Sequence, residues 1–528
     1  MSRITKEEIE KTKCGRFLLS DENIYLSIYS LNSYVFEYNL LNTEDRILYH
    51  RLQDKFDARL INGVITRVRE QIIELFDKDK YIEAKVYFKP KKLSENGELE
   101  FRPLHSTGLI TQIAIVSMLH LFVYEIPEEE EGDPKLRLSN LSRLIPSDFY
   151  GNRVSVKPEY LFKPWKQQYQ KYNQNSNDAL MKYHTSLEYK YEVTLDLENF
   201  FPTINPIIIY RYIINHLPAY LNDEERKMMK RVLQKLLFCK LTTTFDEKTA
   251  GQYYKVTKGA GNYDNVDKIE QNEKECWAFK EKSDKFVRGI PQGLPQSYFL
   301  GNIYMIIVSR IFRNEFSGAS YFYVDDSVIF TNDVIETEFK EQLKEINKQI
   351  EAKEREILQK HSEENLKIYP CKTKEFYESY LYGVHVHLEE KSAYTRLDSL
   401  DEGEVYLKSI SRQMSQAGSD FFKMHSDEEN KNLEKKFAVL SEQVKIKSEQ
   451  LEKSEEPNDS NVTKKFKDRL TRYYKFFEYR KQKLAAMRQP ENKSTKAYKE
   501  ELKEIIYGKE LLKGNNKILE KIQTKKRL

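Results

Sequence analysis

The stretch YFYVDDSVIF, Tyr321 to Phe330, restricts what this chain can fold into more than any other. Two adjacent carboxylates, Asp325 and Asp326, stand between runs rich in β-branched and aromatic residues, which predicts a tight β-hairpin with acids at its turn. Strands buried by their apolar faces hold such a turn rigidly. Carboxylates crowded into a water-poor site repel unless divalent cations neutralise them. Hard cations such as Mg²⁺ prefer oxygen ligands and complete their shells with water and substrate phosphates, so the stretch points to phosphoryl-transfer chemistry. A DD turn alone is also what an ordinary solvated surface hairpin carries.

A second acid strengthens the reading. Tyr189 to Pro202 reads YKYEVTLDLENFFP, a β-prone run ending in Asp196 and followed by Phe200, Phe201 and Pro202. Two-metal nucleotidyl transfer needs carboxylates from separate strands, bridging ions roughly 3.5–4 Å apart. Asp196 and Asp325 meet that need if their strands are neighbours in one sheet; in isolation Asp196 reads as a cap for the helix that follows. Between the acids, RGIPQGLPQSYFLGNIYM (Arg288 to Met305) carries Gly289, Pro291, Gly293 and Pro295, which predict an irregular, close-approach loop leading into an apolar helix.

This order of acid strand, PQG loop with helix and DD hairpin resembles the reverse transcriptase family. Asp196 falls on the metal-binding aspartate of the first palm motif, and Phe201 on the bulky residue that closes against a ribose 2′-hydroxyl. Pro291, Gln292 and Gly293 match the loop that packs on the incoming nucleotide and template, and YVDD (Tyr323 to Asp326) matches the YxDD box. FKPKKLSENGELEFRPLHSTGLITQ (Phe88 to Gln112) is similar to the fingers motif, which puts Arg102 and Lys91 on the triphosphate. FYGNR (Phe149 to Arg153) resembles the motif preceding the palm, PCKTKEF places Lys372 near the pyrophosphate, and YLYGVHV (Tyr380 to Val386) resembles the primer-grip hairpin.

The resemblance spans residues 80 to 390 and implies an α+β, right-hand polymerase: fingers and palm with an antiparallel sheet, followed by an all-helical C-terminal extension. The implied segments are an N-terminal helical extension over 1–80, fingers and palm over 81–390, and a thumb-like, basic extension over 391–528. It also implies an RNA-directed DNA polymerase using two Mg²⁺ ions, with Mn²⁺ as a substitute. Asp196 and Asp325 are then the main ligands, and Asp326 a ligand or a tuner of the site. Arg102 can grip phosphate oxygens bidentately, Lys372 can protonate pyrophosphate, and Phe201 favours dNTPs over ribonucleotides.

Composition bounds the rest. At 528 residues and 39% hydrophobic content the chain can bury a large core in several subdomains. Cys14, Cys239, Cys276 and Cys371 show no paired spacing, which fits a reducing cytoplasm. No apolar run approaches the ~20 residues of a membrane span, and no signal peptide is read, so a soluble cytoplasmic protein is expected. Net charge is +4, but residues 461–528 hold 21 Lys and Arg against 8 Asp and Glu, leaving −9 on the first 460. That basic segment is the footprint of nucleic-acid binding. Within it Lys464, Lys465, Arg469, Arg472, Lys475 and Arg480 interleave with Tyr473 and Tyr474, so cations could hold phosphates while rings stack on bases. An amphipathic helix with core aromatics is the competing reading.

Glu336 to His361 reads as an exposed helix laced by i,i+4 pairs, and SEEPNDSN (Ser454 to Asn461) as a boundary. The PQG loop continues as LPQSYFLGN rather than SPLSPLLAN, and neither an HNH pattern nor paired cysteines follow the palm. A palm with a long helical extension is similar to the abortive-infection and defence-associated bacterial reverse transcriptases. That likeness implies antiphage defence, a noncoding RNA template, a DNA product, a homo-oligomer, and in some members priming from a protein hydroxyl. Tyr473, Tyr474, Tyr479, Tyr498 and Tyr507 are the candidates for such priming. The rivals are an RNA polymerase on the same palm and a catalytically silent RNA-binding scaffold; Asp196, Asp325, Arg102 and Gln292 together disfavour the scaffold.

Overall fold

The computed structural model describes residues 3–33, 41–52, 57–93, 99–123, 141–155, 160–242, 286–360, 362–368, 370, 383–388, 391–400, 405–406, 408–410, 412, 427–453, 470–478 and 481–482. The chain is a mixed α and β protein divided into two compact units, Met1–Tyr172 with Glu188–Arg396 and Asn173–Leu187 with Leu397–Leu528.

In the first unit the chain opens with α1 (Lys6–Glu10), α2 (Lys13–Leu19), α3 (Asp21–Tyr29), α4 (Thr43–Arg51) and α5 (Ala58–Asp77). Thr5, Thr12, Ser20, Asn42 and Asp57 each accept an orphan amide proton at a helix start. In α5, Val64, Val68, Ile72 and Leu75 repeat at helical spacing and form its buried stripe. β1 (Ile82–Leu93) and β2 (Leu99–Ser106) pair antiparallel, and β1 also pairs in parallel with β4 (Cys239–Leu241). In β1, Ile82, Ala84 and Val86 are buried while Glu83, Lys85 and Tyr87 face out, the two-residue period of a half-covered sheet. α6 (Leu109–Val123) is apolar on all sides and buried, so every face of it finds protein.

α7 (Trp165–Ser186) leads to β3 (Tyr191–Asp196), α8 (Phe200–Thr203), α9 (Pro206–Asn215) and α10 (Asp223–Leu237). α11 (Pro295–Glu315) precedes β5 (Gly318–Tyr323) and β6 (Asp326–Thr331); α12 (Phe339–Lys360), α13 (Ser362–Ile368) and β7 (Ala393–Arg396) follow. The strands form an antiparallel sheet in the order β5-β6-β3-β7. The sheet and α11 share one core containing Val193, Leu195, Phe322, Ile329, Phe299 and Phe312.

Two expectations change here. α12 is not simply exposed: Phe339, Leu343, Ile346, Ile350 and Leu358 bury one face, because apolar side chains recur every three to four residues beneath the charge. Its ion pairs, Lys344 with Glu341, Lys348 with Glu345 and Lys353 with Glu356, are spaced i,i+3. The segment from 391 is also not wholly helical, since β7 completes the sheet by pairing with β3. In the second unit α14 (Asp427–Lys453) and helical residues 470–478 share a small core of Leu433, Phe437, Leu440, Val444, Leu470 and Phe477. No described helix is long and apolar enough to cross a membrane.

Candidate acidic site and its glycine loop

β3 and β6 are adjacent, and their register sets Asp196 directly opposite Asp326. Tyr323 pairs with Asp326 across the hairpin, so Val324 and Asp325 alone make the turn. Val324 stands at φ 59°, a left-handed conformation that a β-branched residue adopts only under strain, about 1–2 kcal/mol. The FYGNR segment holds it there. Tyr150 N–H donates to Phe322 O at 2.8 Å, and Phe322 N–H donates to Asp148 O at 2.9 Å. Asp148 also takes Arg313 at 2.5 Å and the Ser320 hydroxyl at 2.7 Å, while Asn302 Nδ2 donates to Gly151 O at 2.9 Å.

A methyl on Gly151 would lie 2.7 Å from Val324 Cγ2 and 3.0 Å from its backbone N. Gly151→Ala is therefore expected to destabilise by about 1–2 kcal/mol and to push the acid turn out of place. Val324→Ala should restore part of the loss by vacating the space, and urea denaturation of both single variants and the double variant checks the coupling.

The PQG loop is pinned at both ends. Gly289, at φ 67°, lies where a side chain would overlap the Phe201 carbonyl and sit 2.5 Å from Pro202 O. Ile290 N–H donates to Phe201 O at 3.0 Å. Gly293, at φ 109°, leaves room for His105, whose N–H donates to Gln292 O at 2.7 Å. Gln292 is thereby fixed beside β2, the strand that also carries the exposed Arg102. Arg102 is near enough for its charge to favour ionised Asp325. Phe201 is buried and lies edge-on to Phe200 at 5.3 Å and to Tyr298 at 6.4 Å, so it forms part of the wall under the loop.

The acids are electrostatically crowded. Loss of water and then the charge of Asp196 push Asp325 up to about 6. Asp326 keeps an open edge to solvent yet is also raised, by lost hydration, by Asp325 and by Asp196, to which it hydrogen-bonds. Two basic side chains that the sequence reading missed meet Asp196: Lys391 Nζ contacts its Oδ2, and a ring nitrogen of His387, Nε2, lies 3.3 Å from the same atom. His387 Nδ1 lies 3.4 Å from Glu198. Burial disfavours the Lys391 ammonium, but the hydrogen bond and charge of Asp196, with Asp325 and Asp326 behind, leave its pKa raised. Tyr323 packs on Tyr169 at 5.0 Å and Tyr172 at 5.5 Å; burial first, then Tyr169 and the acids, keep its hydroxyl protonated.

Among the described residues, no group of three or more His, Cys, Asp or Glu side chains is gathered as a finished ion cage. The donor set nevertheless suits a hard divalent cation. Asp196, Asp325 and Asp326 supply only oxygens, and the charge of Asp196 raises the pKa of both Asp325 and Asp326, which a cation would reverse.

Other expected site residues fall elsewhere. Lys91 lies at the register shift of β1 between Pro90 and Lys92. Arg472, Tyr474 and Lys475 are exposed on helical residues 470–478, while Tyr473 packs partly against the small core with Phe476. Lys372, Lys464, Lys465, Arg469, Arg480, Tyr479, Tyr498 and Tyr507 lie outside the described residues. The chain matches no family model, and no curated protein matches it.

Proposed function

We propose that this chain is a nucleotidyltransferase of the reverse transcriptase kind, a right-hand polymerase that extends DNA from dNTPs. The observation that carries the reading is the β3–β6 register, which sets Asp196 opposite Asp326 with Asp325 at the adjoining turn. The glycine loop pinned beside β2 supports it, because β2 also carries Arg102, whose charge reaches Asp325. Asp196, Asp325 and Asp326 would hold Mg²⁺ or Mn²⁺, which when bound lowers the pKa of an attacking hydroxyl and neutralises phosphate charge. The chain's own residues do the positioning. Arg102, whose charge reaches Asp325, would take the phosphates, the buried Phe201 fixes the loop through its carbonyl, and Gly151 leaves the room that the acid turn occupies.

By its resemblance to the defence-associated group, we assign the chain an RNA template, a noncoding RNA in particular, with a DNA product, action against phage in the cytoplasm, and a homo-oligomeric state. The test uses protein purified with its bound nucleic acid, given Mg²⁺ and each labelled dNTP or rNTP singly, with and without RNase. RNase-sensitive incorporation of dNTPs is expected. RNase-resistant label migrating with the protein would instead mean untemplated, protein-primed synthesis. Incorporation of rNTPs alone would make it an RNA polymerase, and no incorporation at all would leave a nucleic-acid-binding scaffold.

A further inference from the structure

We propose that Lys391 is a built-in counter-ion of the acidic centre, and that a divalent cation engages Asp196 by displacing the Lys391 ammonium. This rests on the reading of Asp196, Asp325 and Asp326 as cation ligands.

The support is the way the chain is strapped down on both sides of Lys391. Residues 383–388 run along the end of β3: Val386 bridges to Leu197, Glu198 N–H donates to His385 O at 2.8 Å, and His387 N–H donates to Asp196 O at 3.0 Å. The opposite edge is held by one face of α12. Asn347 takes both backbone groups of Val386, accepting from its N–H at 2.7 Å and donating to its carbonyl at 3.3 Å. One turn on, Glu351 holds His385 Nε2 at 2.8 Å. At the next turn the Glu354 carboxyl fills the space beside Gly383, where a methyl would lie 2.7 Å from its Oε1. Positions 347, 351 and 354 share one helix face, so a single rigid element sets the register of the strap.

Beyond Lys391 the chain is anchored again. Ala393 pairs with Thr194, whose hydroxyl donates to Ala393 O at 3.2 Å. The backbone is therefore fixed to β3 at Leu197 on one side of Asp196 and at Thr194 on the other. Lys391 lies between those anchors with its ammonium on Asp196 and within reach of the charges of Asp325 and Asp326. A lysine that only happened to be nearby would not have both flanks sewn to the strand bearing the acid. With the ammonium present, crowded carboxylates are tolerated before any divalent cation arrives. When one binds, the ammonium is released within the same site, where the chemistry that fits it is an anionic phosphate oxygen.

Mn²⁺ binding to the full-length protein, followed by electron paramagnetic resonance without nucleotide, tests this independently of turnover. Lys391→Met is expected to bind Mn²⁺ about tenfold more tightly than wild type, the size of an ordinary site-to-site coupling. Lys391→Arg, which keeps charge and contact, should bind within about threefold of wild type on the same scale. Should Lys391→Met fail to fold, Lys391→Gln serves in its place. Equal affinity in wild type and the neutral variant overturns the proposal while leaving the acids as ligands. If no protein binds Mn²⁺, or if Asp196→Asn binds it as wild type does, the ligand reading itself falls and takes this proposal with it.

Discussion

Asp196→Asn protein is expected to incorporate nucleotide at least about 10³-fold more slowly than wild type while unfolding within a few degrees of the same temperature. The two halves of that result have different physical origins. Catalysis needs negative charge where cations and phosphates meet, and an amide cannot supply it. Stability has little need of the same charge: Asp196 raises the pKa of both Asp325 and Asp326, so its removal relieves repulsion. Against that relief stands the loss of an ion pair with Lys391, which is 38% exposed and therefore screened by solvent. The opposing contributions leave a small net change. Asp325→Asn should behave alike, since its carboxyl also sits under the charge of Asp196. Single-nucleotide incorporation together with thermal unfolding checks both. A loss of stability in proportion to activity would mark Asp196 as a packing residue and remove the main support for the polymerase reading.

The strand-turn-strand character of Tyr321 to Phe330 could be read from the sequence because it is local: alternation and turn residues lie within ten positions. The opposition of Asp196 and Asp326 is not local, and only the order of segments along the chain suggested it. The glycine loop was visible as a loop, but not its anchors. His105 lies in FRPLHS and Asp148 precedes FYGNR with no spacing that ties either to Gln292 or Phe322; those contacts arise from sheet packing. His387 and Lys391 escaped for the same reason. HVHLEEK carries no periodic signal toward an acid, and its place depends on β7 pairing with β3 far back in the chain. In α12 a dense run of charge overlies apolar side chains at helical spacing, so its sequence reads as an exposed helix although one face is buried.

On the same buried face of α12 stands a carboxyl whose titration makes stability depend on pH. Glu354 is 2% exposed, and burial raises its carboxyl to about 8 against the opposing hydrogen bond from Tyr304, with the charge of Glu351 adding to the rise. Tyr304 O–H donates to Oε1 at 2.5 Å, and Oε2 is buried with no partner among the described residues. The folded protein therefore keeps this proton through a range in which the unfolded chain has released it. Because the unfolded state binds fewer protons there, stability falls as pH rises from about 4.5 to about 8, by roughly 1.4 kcal/mol per unit. By pH 7 the accumulated loss is about 3 kcal/mol, and it levels off above about pH 8. Glu354→Gln abolishes it, since the amide oxygen still accepts from Tyr304 and nothing titrates. Its buried N–H groups cost about 1–2 kcal/mol in exchange. The variant is thus expected to be slightly less stable than wild type near pH 5, more stable by about 2 kcal/mol at pH 7 and by about 3 at pH 8. Urea unfolding across that range reads the crossing directly. Parallel curves would mean that Glu354 is ionised in the fold. The crossing is tied to the site by geometry, because Glu354 shares its helix face with Asn347 and Glu351, which hold the strap beneath His387 and Lys391.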